Sequence, residues 1–148
     1  MRSFHLPILA LAFLLSASCP TAEAPSPAAP TAPGAAKVTI AARASATATG
    51  QELVAPARPF EMVISVSELP AGGLLPMHKH PWPRYVYVDR GRIMVRYEES
   101  GLEREFGAGE GIVEAIDQWH EGRVVGAEPV RLIVFDQVPP GQTNVVRR

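Results

Sequence analysis

The sequence predicts an all-β fold, either a sandwich or a barrel. Short runs of alternating or apolar residues follow one another closely, and nearly every turn between them contains a glycine. No stretch has the periodicity of an amphipathic helix, so we expect no major helix beyond the N-terminal leader. The predicted strands cover residues 37–41, 51–54, 60–69, 74–80, 84–88, 92–98, 102–106, 111–115, 119–125 and 129–138.

Alternation within these runs predicts a core on one side of the strands. In residues 92–98, Ile93, Val95 and Tyr97 share one face and the charged residues share the other. Residues 129–138 carry apolar side chains on both faces, so we expect that strand to be buried on both sides. A barrel of about eight strands is wide enough inside to hold side chains and one small ligand.

The chain divides by composition into four parts. Residues 1–18 have the basic start, short apolar run and small-residue exit of a secretory signal peptide. The apolar run is well short of the ~20 residues that span a bilayer, which disfavours a membrane anchor. Residues 19–36, rich in Pro and Ala, predict a disordered tether. Residues 37–138 are then the β-barrel domain, and residues 139–148 a polar C-terminal tail.

Cys19 is the only cysteine in the sequence, so it has no internal disulfide partner. Its place directly after the leader resembles that of the lipid-modified cysteine in bacterial lipoproteins, although Ser16 stands where that motif has an aliphatic residue. Lipid anchoring through Cys19 and ordinary cleavage near Ser18 both stay open. We expect an exported protein that is periplasmic, held outside a membrane by lipid, or secreted.

Charge and composition exclude one class of function. A net charge of −1 and the absence of a basic stripe argue against a nucleic-acid-binding protein.

Three histidines are the candidate ligands of a metal ion. His78 and His80 are two residues apart in a predicted strand, so their side chains point to the same face. Two imidazoles on one face make half of a metal site, or half of a polar ligand pocket. His120 lies in a later predicted strand, and a fold that brings it to the first pair would complete either kind of site.

The spacing of these histidines resembles the two motifs of the cupin family. The first motif runs Gly, five residues, His-x-His, three or four residues, Glu, six residues, Gly, and here its glycines and histidines are Gly72, His78, His80 and Gly91. In the second motif, Gly109 and His120 stand at the family interval. Its Pro, Gly and Asn are replaced by Ala115, Asp117 and Val124.

The resemblance implies a cupin-type antiparallel β-barrel, also called a jelly roll or double-stranded β-helix. It also implies a divalent metal held by His78, His80 and His120. Three neutral imidazoles with an open position suit Zn²⁺, and imidazole also suits Fe, Ni or Cu; Mn is a further candidate.

The main departure from the motif is Arg84, which stands in place of the glutamate that is usually the fourth ligand. A guanidinium is always charged and cannot ligate a metal, and Arg84 shares the inward parity of His78 and His80. In one interpretation the three histidines still bind a metal and Arg84 forks onto an anionic ligand. In a second, the histidines and Arg84 form a metal-free anion pocket. In a third, the histidines are structural and Arg84 turns outward to an acid such as Glu114.

Three other residues are candidates for binding a ligand. Trp82 and Trp119 flank the histidines and could line the mouth of the barrel. Glu114 could act as a substitute metal ligand or a proton carrier. Tyr85 and Tyr87 are expected to point away from the histidines by parity.

The resemblance leaves the activity open, because metal-bearing cupins include dioxygenases, isomerases and decarboxylases while others bind sugars or small acids. The expected function is an exported metal-binding cupin, in the enzymatic case oxygenase- or isomerase-like, acting on a small anionic molecule. The alternative is a non-catalytic small-ligand-binding module without metal. Similar cupins commonly dimerise, so a homodimer is a further expectation.

Overall fold

The computed structural model describes residues 37–55 and 59–148, and the all-β prediction is confirmed. No helix occurs within these residues, so none there is long or apolar enough to cross a membrane. The strands are β1 (Glu61–Leu69), β2 (Leu74–Lys79), β3 (Arg84–Arg90), β4 (Arg92–Tyr97), β5 (Glu103–Gly107), β6 (Gly111–Val113), β7 (His120–Val124), β8 (Val130–Val138) and β9 (Val146–Arg147). The predicted leader, the tether and Cys19 lie outside the described residues.

The strands form two antiparallel sheets of the jelly-roll type. One has the order β1-β8-β3-β6 and the other β5-β4-β7-β2-β9. Apolar side chains of both sheets form one core, in which Val88, Ile93, Tyr97 and Val130 are almost completely buried. Burying a large apolar side chain stabilises a fold by about 1.5–3 kcal/mol, so this core fixes which face of each strand points inward.

The predicted alternation is confirmed in β4 and is incomplete in β8. Ile93, Val95 and Tyr97 are buried, as the sequence predicts. Along β8, buried residues alternate with half-buried ones, so only one face belongs to the core. The prediction that this strand is buried on both sides was therefore wrong, because its outer face is only partly covered.

Glycines permit the tight turns that the sequence predicts. Gly72, Gly91 and Gly109 have φ values of +70°, +76° and +91°. A Cβ atom at Gly91 would lie 2.5 Å from the carbonyl oxygen of Pro129, so a side chain there would clash as well as strain the backbone.

Two predictions at the ends of the domain need correction. The strands predicted at 37–41 and 51–54 do not form, and residues 37–55 contain one β-bridge, Ala46–Glu52. This segment contacts the edge strand β6 through two isolated backbone hydrogen bonds, from Gly111 N–H to the Ala41 oxygen and from Ala48 N–H to the Val113 oxygen, and these do not make a ladder. Residues 139–148, predicted to be a polar tail, instead contribute β9, which pairs with β2.

Candidate metal centre

The fold brings the three predicted histidines together. His78 in β2 is the register partner of His120 in β7, and His80 lies one residue beyond the end of β2. The ring centroids are 4.8 Å apart for His78 and His80, 4.5 Å for His78 and His120, and 4.9 Å for His80 and His120. All three side chains are buried, and one nitrogen from each lies within 4.8 Å of the others.

Backbone carbonyl groups determine which nitrogen of each ring is free. The Nδ1 atoms lie 2.7 Å from the Pro76 oxygen for His78, 2.6 Å from the Asn144 oxygen for His80, and 2.9 Å from the Gln118 oxygen for His120. Because a carbonyl oxygen only accepts, each Nδ1 carries a proton, so in the neutral ring the lone pair is on Nε2. Hydrogen bonds of this kind orient histidines that ligate metals.

Nε2 of His120 is buried, and no group within the described residues forms a hydrogen bond with it. A buried polar atom without a partner is unfavourable, and a metal ion would satisfy it. This histidine set therefore fits a metal ion.

Burial also keeps two of the rings in the uncharged form that binds metals. Desolvation, with a smaller effect of His120, lowers the pKa of His78 to about 4. Desolvation and then the positive charge of Arg84 lower the pKa of His80 to about 2. Both rings are therefore neutral at pH 7.

Arg84 lies beside the histidines, as its parity predicts, but two of its guanidinium nitrogens already donate to Asp136. Its Nε and Nη2 atoms donate to the two carboxylate oxygens of Asp136 at 2.7 and 2.8 Å. The third nitrogen, Nη1, is 3.4 Å from Nε2 of His80. The expectations that this guanidinium waits for an anionic ligand, or turns outward to Glu114, were therefore wrong. Arg84 is the register partner of Asp136, and the ladder presents the carboxylate to it.

Glu114 lies on the same cavity, next to His120. Its Oε2 atom is 3.8 Å from Nε2 of His120 and accepts a hydrogen bond of 3.1 Å from the Tyr97 hydroxyl. Burial and the Glu114 carboxylate raise the pKa of Tyr97, so this hydroxyl stays protonated and remains a donor.

The three histidines, Arg84 and Glu114 line a cavity of about 290 Å³ between the two sheets. Its polar side chains are Ser65, Ser67, His78, His80, Arg84, Glu114, His120 and Arg147. Apolar core residues such as Val95, Ile112 and Leu132 form the rest of the wall. A cavity in which polar groups converge within an apolar wall is typical of small-molecule sites.

The two tryptophans do not reach this cavity. Trp82 contacts the Asn144 side chain through its backbone, and the Trp119 indole lies 5.2 Å from the Lys79 ammonium and 4.7 Å from the Arg148 guanidinium. Tyr85 points away from the histidines as predicted, since its hydroxyl donates to Gln137 on the outer side of the sheet.

Two residues that support the site were missed by the sequence analysis. Asp136 lies in a predicted strand that is otherwise mostly apolar. An acidic residue in such a strand indicates a buried cationic partner, and this was the signal available in the sequence. Asn144 donates to Asp136 at 2.7 Å, and its backbone oxygen holds His80. Nothing in spacing or periodicity distinguishes this asparagine from its polar neighbours.

Comparison with known proteins agrees with this architecture. Residues 65–136 match the cupin domain family model. No curated protein matches the sequence.

Many solved structures match this chain, and three of them serve as examples. A Bacillus halodurans protein is 19% identical, with a TM-score of 0.50, and the match covers 58% of this chain and 69% of that one. Recombinant oxalate oxidase in complex with glycolate is 22% identical, with a TM-score of 0.51 and coverage of 58% and 45%. The polyketide cyclase RemF from Streptomyces resistomycificus is 23% identical, with a TM-score of 0.50 and coverage of 59% and 61%. This chain thus spans less than two thirds of the oxidase and the cyclase.

The family motifs, the jelly-roll sheets and the converging histidines agree with the family match, and residues 65–136 of this chain belong to the cupin domain family.

Proposed function

We propose that this cupin binds a divalent metal ion through His78, His80 and His120, and that a small anionic molecule occupies the cavity beside the ion. The observation that carries the proposal is the convergence of three Nε2 atoms whose Nδ1 partners are fixed by backbone carbonyls. Zn²⁺, Fe²⁺, Mn²⁺, Ni²⁺ and Cu²⁺ are the candidates. A metal bound with an open position would supply a Lewis acid to the cavity.

Because Arg84 is paired with Asp136, a metal ion can bind close to its positive charge. Two like unit charges ~4 Å apart cost about 4 kcal/mol at an effective dielectric of 20, so a lone guanidinium would oppose metal binding. Asp136 accepts both of its hydrogen bonds and offsets that charge.

An anionic ligand is supported by Arg147, which lines the cavity, and by Nη1 of Arg84, the one guanidinium nitrogen of that residue that makes no bond to Asp136. One structure with this fold, the oxalate oxidase, holds glycolate, which is a small carboxylate. An oxygenase- or isomerase-like reaction on such a molecule is the catalytic form of the proposal.

Metal analysis of protein purified without added metal tests the proposal directly. We expect near-stoichiometric metal, or a rise in melting temperature on adding one of the five ions. His120→Ala should abolish that rise because it removes one of three ligands. Glu121→Gln, the next residue of β7, should keep it, since Glu121 pairs with Arg96 outside the cavity. No bound metal and no rise with any ion would contradict the proposal.

A metal-free anion pocket is the second candidate, and one contact favours it. Nη1 of Arg84 approaches the lone pair of His80 that a metal would use. In this case the affinity of the cavity for a small carboxylate would be the same with and without a chelator.

Export, lipid anchoring through Cys19 and a homodimer stay predictions. The first two are supported by the leader pattern and the position of the cysteine after it. Exposed apolar residues on the outer strand β1 (Met62, Ile64 and Val66) support association with a second copy.

A further inference from the structure

We propose that Glu114 supplies the carboxylate that completes this metal centre, in place of the glutamate position that Arg84 occupies. The inference rests on the proposed metal site and deepens it, because it assigns a fourth protein ligand from the residue that follows β6.

Sheet register places Glu114 directly across from Arg84. Tyr85 of β3 pairs with Val113 of β6 in an antiparallel ladder, so the residues before and after them are also neighbours. The backbone N–H of Glu114 donates to the carbonyl oxygen of Arg84 at 3.0 Å. The Glu114 carboxylate thus lies next to position 84, where the family motif has its glutamate, and on the same wall of the cavity.

The distance from Glu114 to His120 suits a shared ion. Metal–ligand bonds of about 2.0–2.2 Å bring two ligand atoms to within roughly 4.2 Å of each other, so the three histidine nitrogens, which lie within 4.8 Å of one another here, would draw in around an ion. Oε2 of Glu114 is 3.8 Å from Nε2 of His120, the atom that forms no hydrogen bond within the described part of the chain. The Glu114 side chain is only 8% exposed, so it faces the site and not solvent.

Charge supports the same assignment. The charges of Arg84 and Asp136 offset each other, and Arg147 adds a positive charge to the wall of the cavity. Glu114 is the one acidic residue among the described residues that line this cavity. The negative charge of its carboxylate would offset part of the charge of a divalent cation.

Tyr97 acts as a positioning residue for this ligand. Its side chain is fully buried, and its hydroxyl donates to the oxygen of Glu114 that lies nearest His120. A carboxylate oxygen accepts this bond and still has a lone pair for a metal. Tyr97 therefore holds the carboxylate toward the histidines.

Competition titrations with Zn²⁺ and visible spectra of the Co²⁺-loaded protein test the assignment. Glu114→Gln keeps the size of the side chain and removes its charge. We expect it to weaken Zn²⁺ binding at least about tenfold, and to change the Co²⁺ spectrum because an oxygen ligand is lost. Tyr97→Phe should weaken binding by a smaller factor, and Glu110→Gln, on an exposed turn, should match the wild type.

The outcomes separate this inference from the function on which it rests. If His120→Ala loses Zn²⁺ while Glu114→Gln keeps wild-type affinity and spectrum, the metal site stands and the role of Glu114 is overturned. A weaker affinity with an unchanged Co²⁺ spectrum would also overturn the ligand assignment, since charge alone would explain it. If the wild-type protein binds neither ion, the metal function itself fails. Melting curves in chelator show whether each variant is folded.

Discussion

Arg84 and Asp136 form a bidentate ion pair beside the site. Both side chains are largely buried, and removing one partner of a buried pair leaves an uncompensated charge. We therefore expect Arg84→Leu to lower the free energy of unfolding by about 3–5 kcal/mol, measured by urea denaturation. Arg84→Glu would place a second carboxylate against Asp136, so we expect destabilisation instead of a restored family site.

A double-mutant cycle checks this interpretation. Arg84→Leu with Asp136→Leu removes both charges, and we expect it to recover much of the stability that either single change loses. Additive losses would mean that the two side chains act independently and that the pair is not what orders this wall.

The sequence predicts the three converging histidines better than it predicts the groups that surround them. His78, His80 and His120 follow from strand parity and family spacing, because both depend on positions along the chain. The pairing of Arg84 with Asp136 depends on which strands become neighbours, and that is decided by the packing of the whole sheet. The contact between Asn144 and Asp136 depends on where the C-terminal residues run along the barrel, and no local sequence pattern predicts that course.

The C-terminal segment is the element that braces the site. β9 pairs with β2 beside His78, and the Asn144 side chain bonds to Asp136 and to the backbone of Trp82. We expect a chain ending at Gln142 to lose about 1–3 kcal/mol of stability, because buried hydrogen bonds are left unmade. Its affinity for metal should fall as well, since His80 loses the carbonyl that orients it.

Arg148→Ala is the control for this truncation. Arg148 forms an exposed ion pair with Glu98, which contributes little to stability. We expect urea denaturation of this variant to match the wild type within about 0.5 kcal/mol. An equally stable truncated chain would show that the segment only covers the barrel and does not support it.

Elements were predicted well where alternation and turns agreed, and poorly elsewhere. β4 alternates cleanly and ends in glycine-bearing turns, so its bounds were nearly right. The run at 37–41 is apolar enough for a strand, yet Val38 and Ile40 are exposed, and a single backbone hydrogen bond from Gly111 to Ala41 joins the run to β6. β9 is too short and polar to be recognised, and it forms because β2 offers it a free edge.

At the scale of the whole molecule, the buried histidines couple stability to pH. The pKa of His78 is lowered by burial from 6.5 to about 4, and that of His80 is lowered further. Below pH 6.5 the unfolded chain takes up protons that the folded chain excludes. The free energy of unfolding therefore has its full value above this pH and falls as the pH drops toward 4. For metal-free protein we expect a slope of up to about 1.4 kcal/mol per pH unit for each histidine, measured by urea denaturation between pH 6.5 and 5. His78→Gln with His80→Gln should flatten this dependence, whereas Glu121→Gln should preserve it. A wild-type stability that stays constant across this range would mean that the two rings are not held neutral between the sheets.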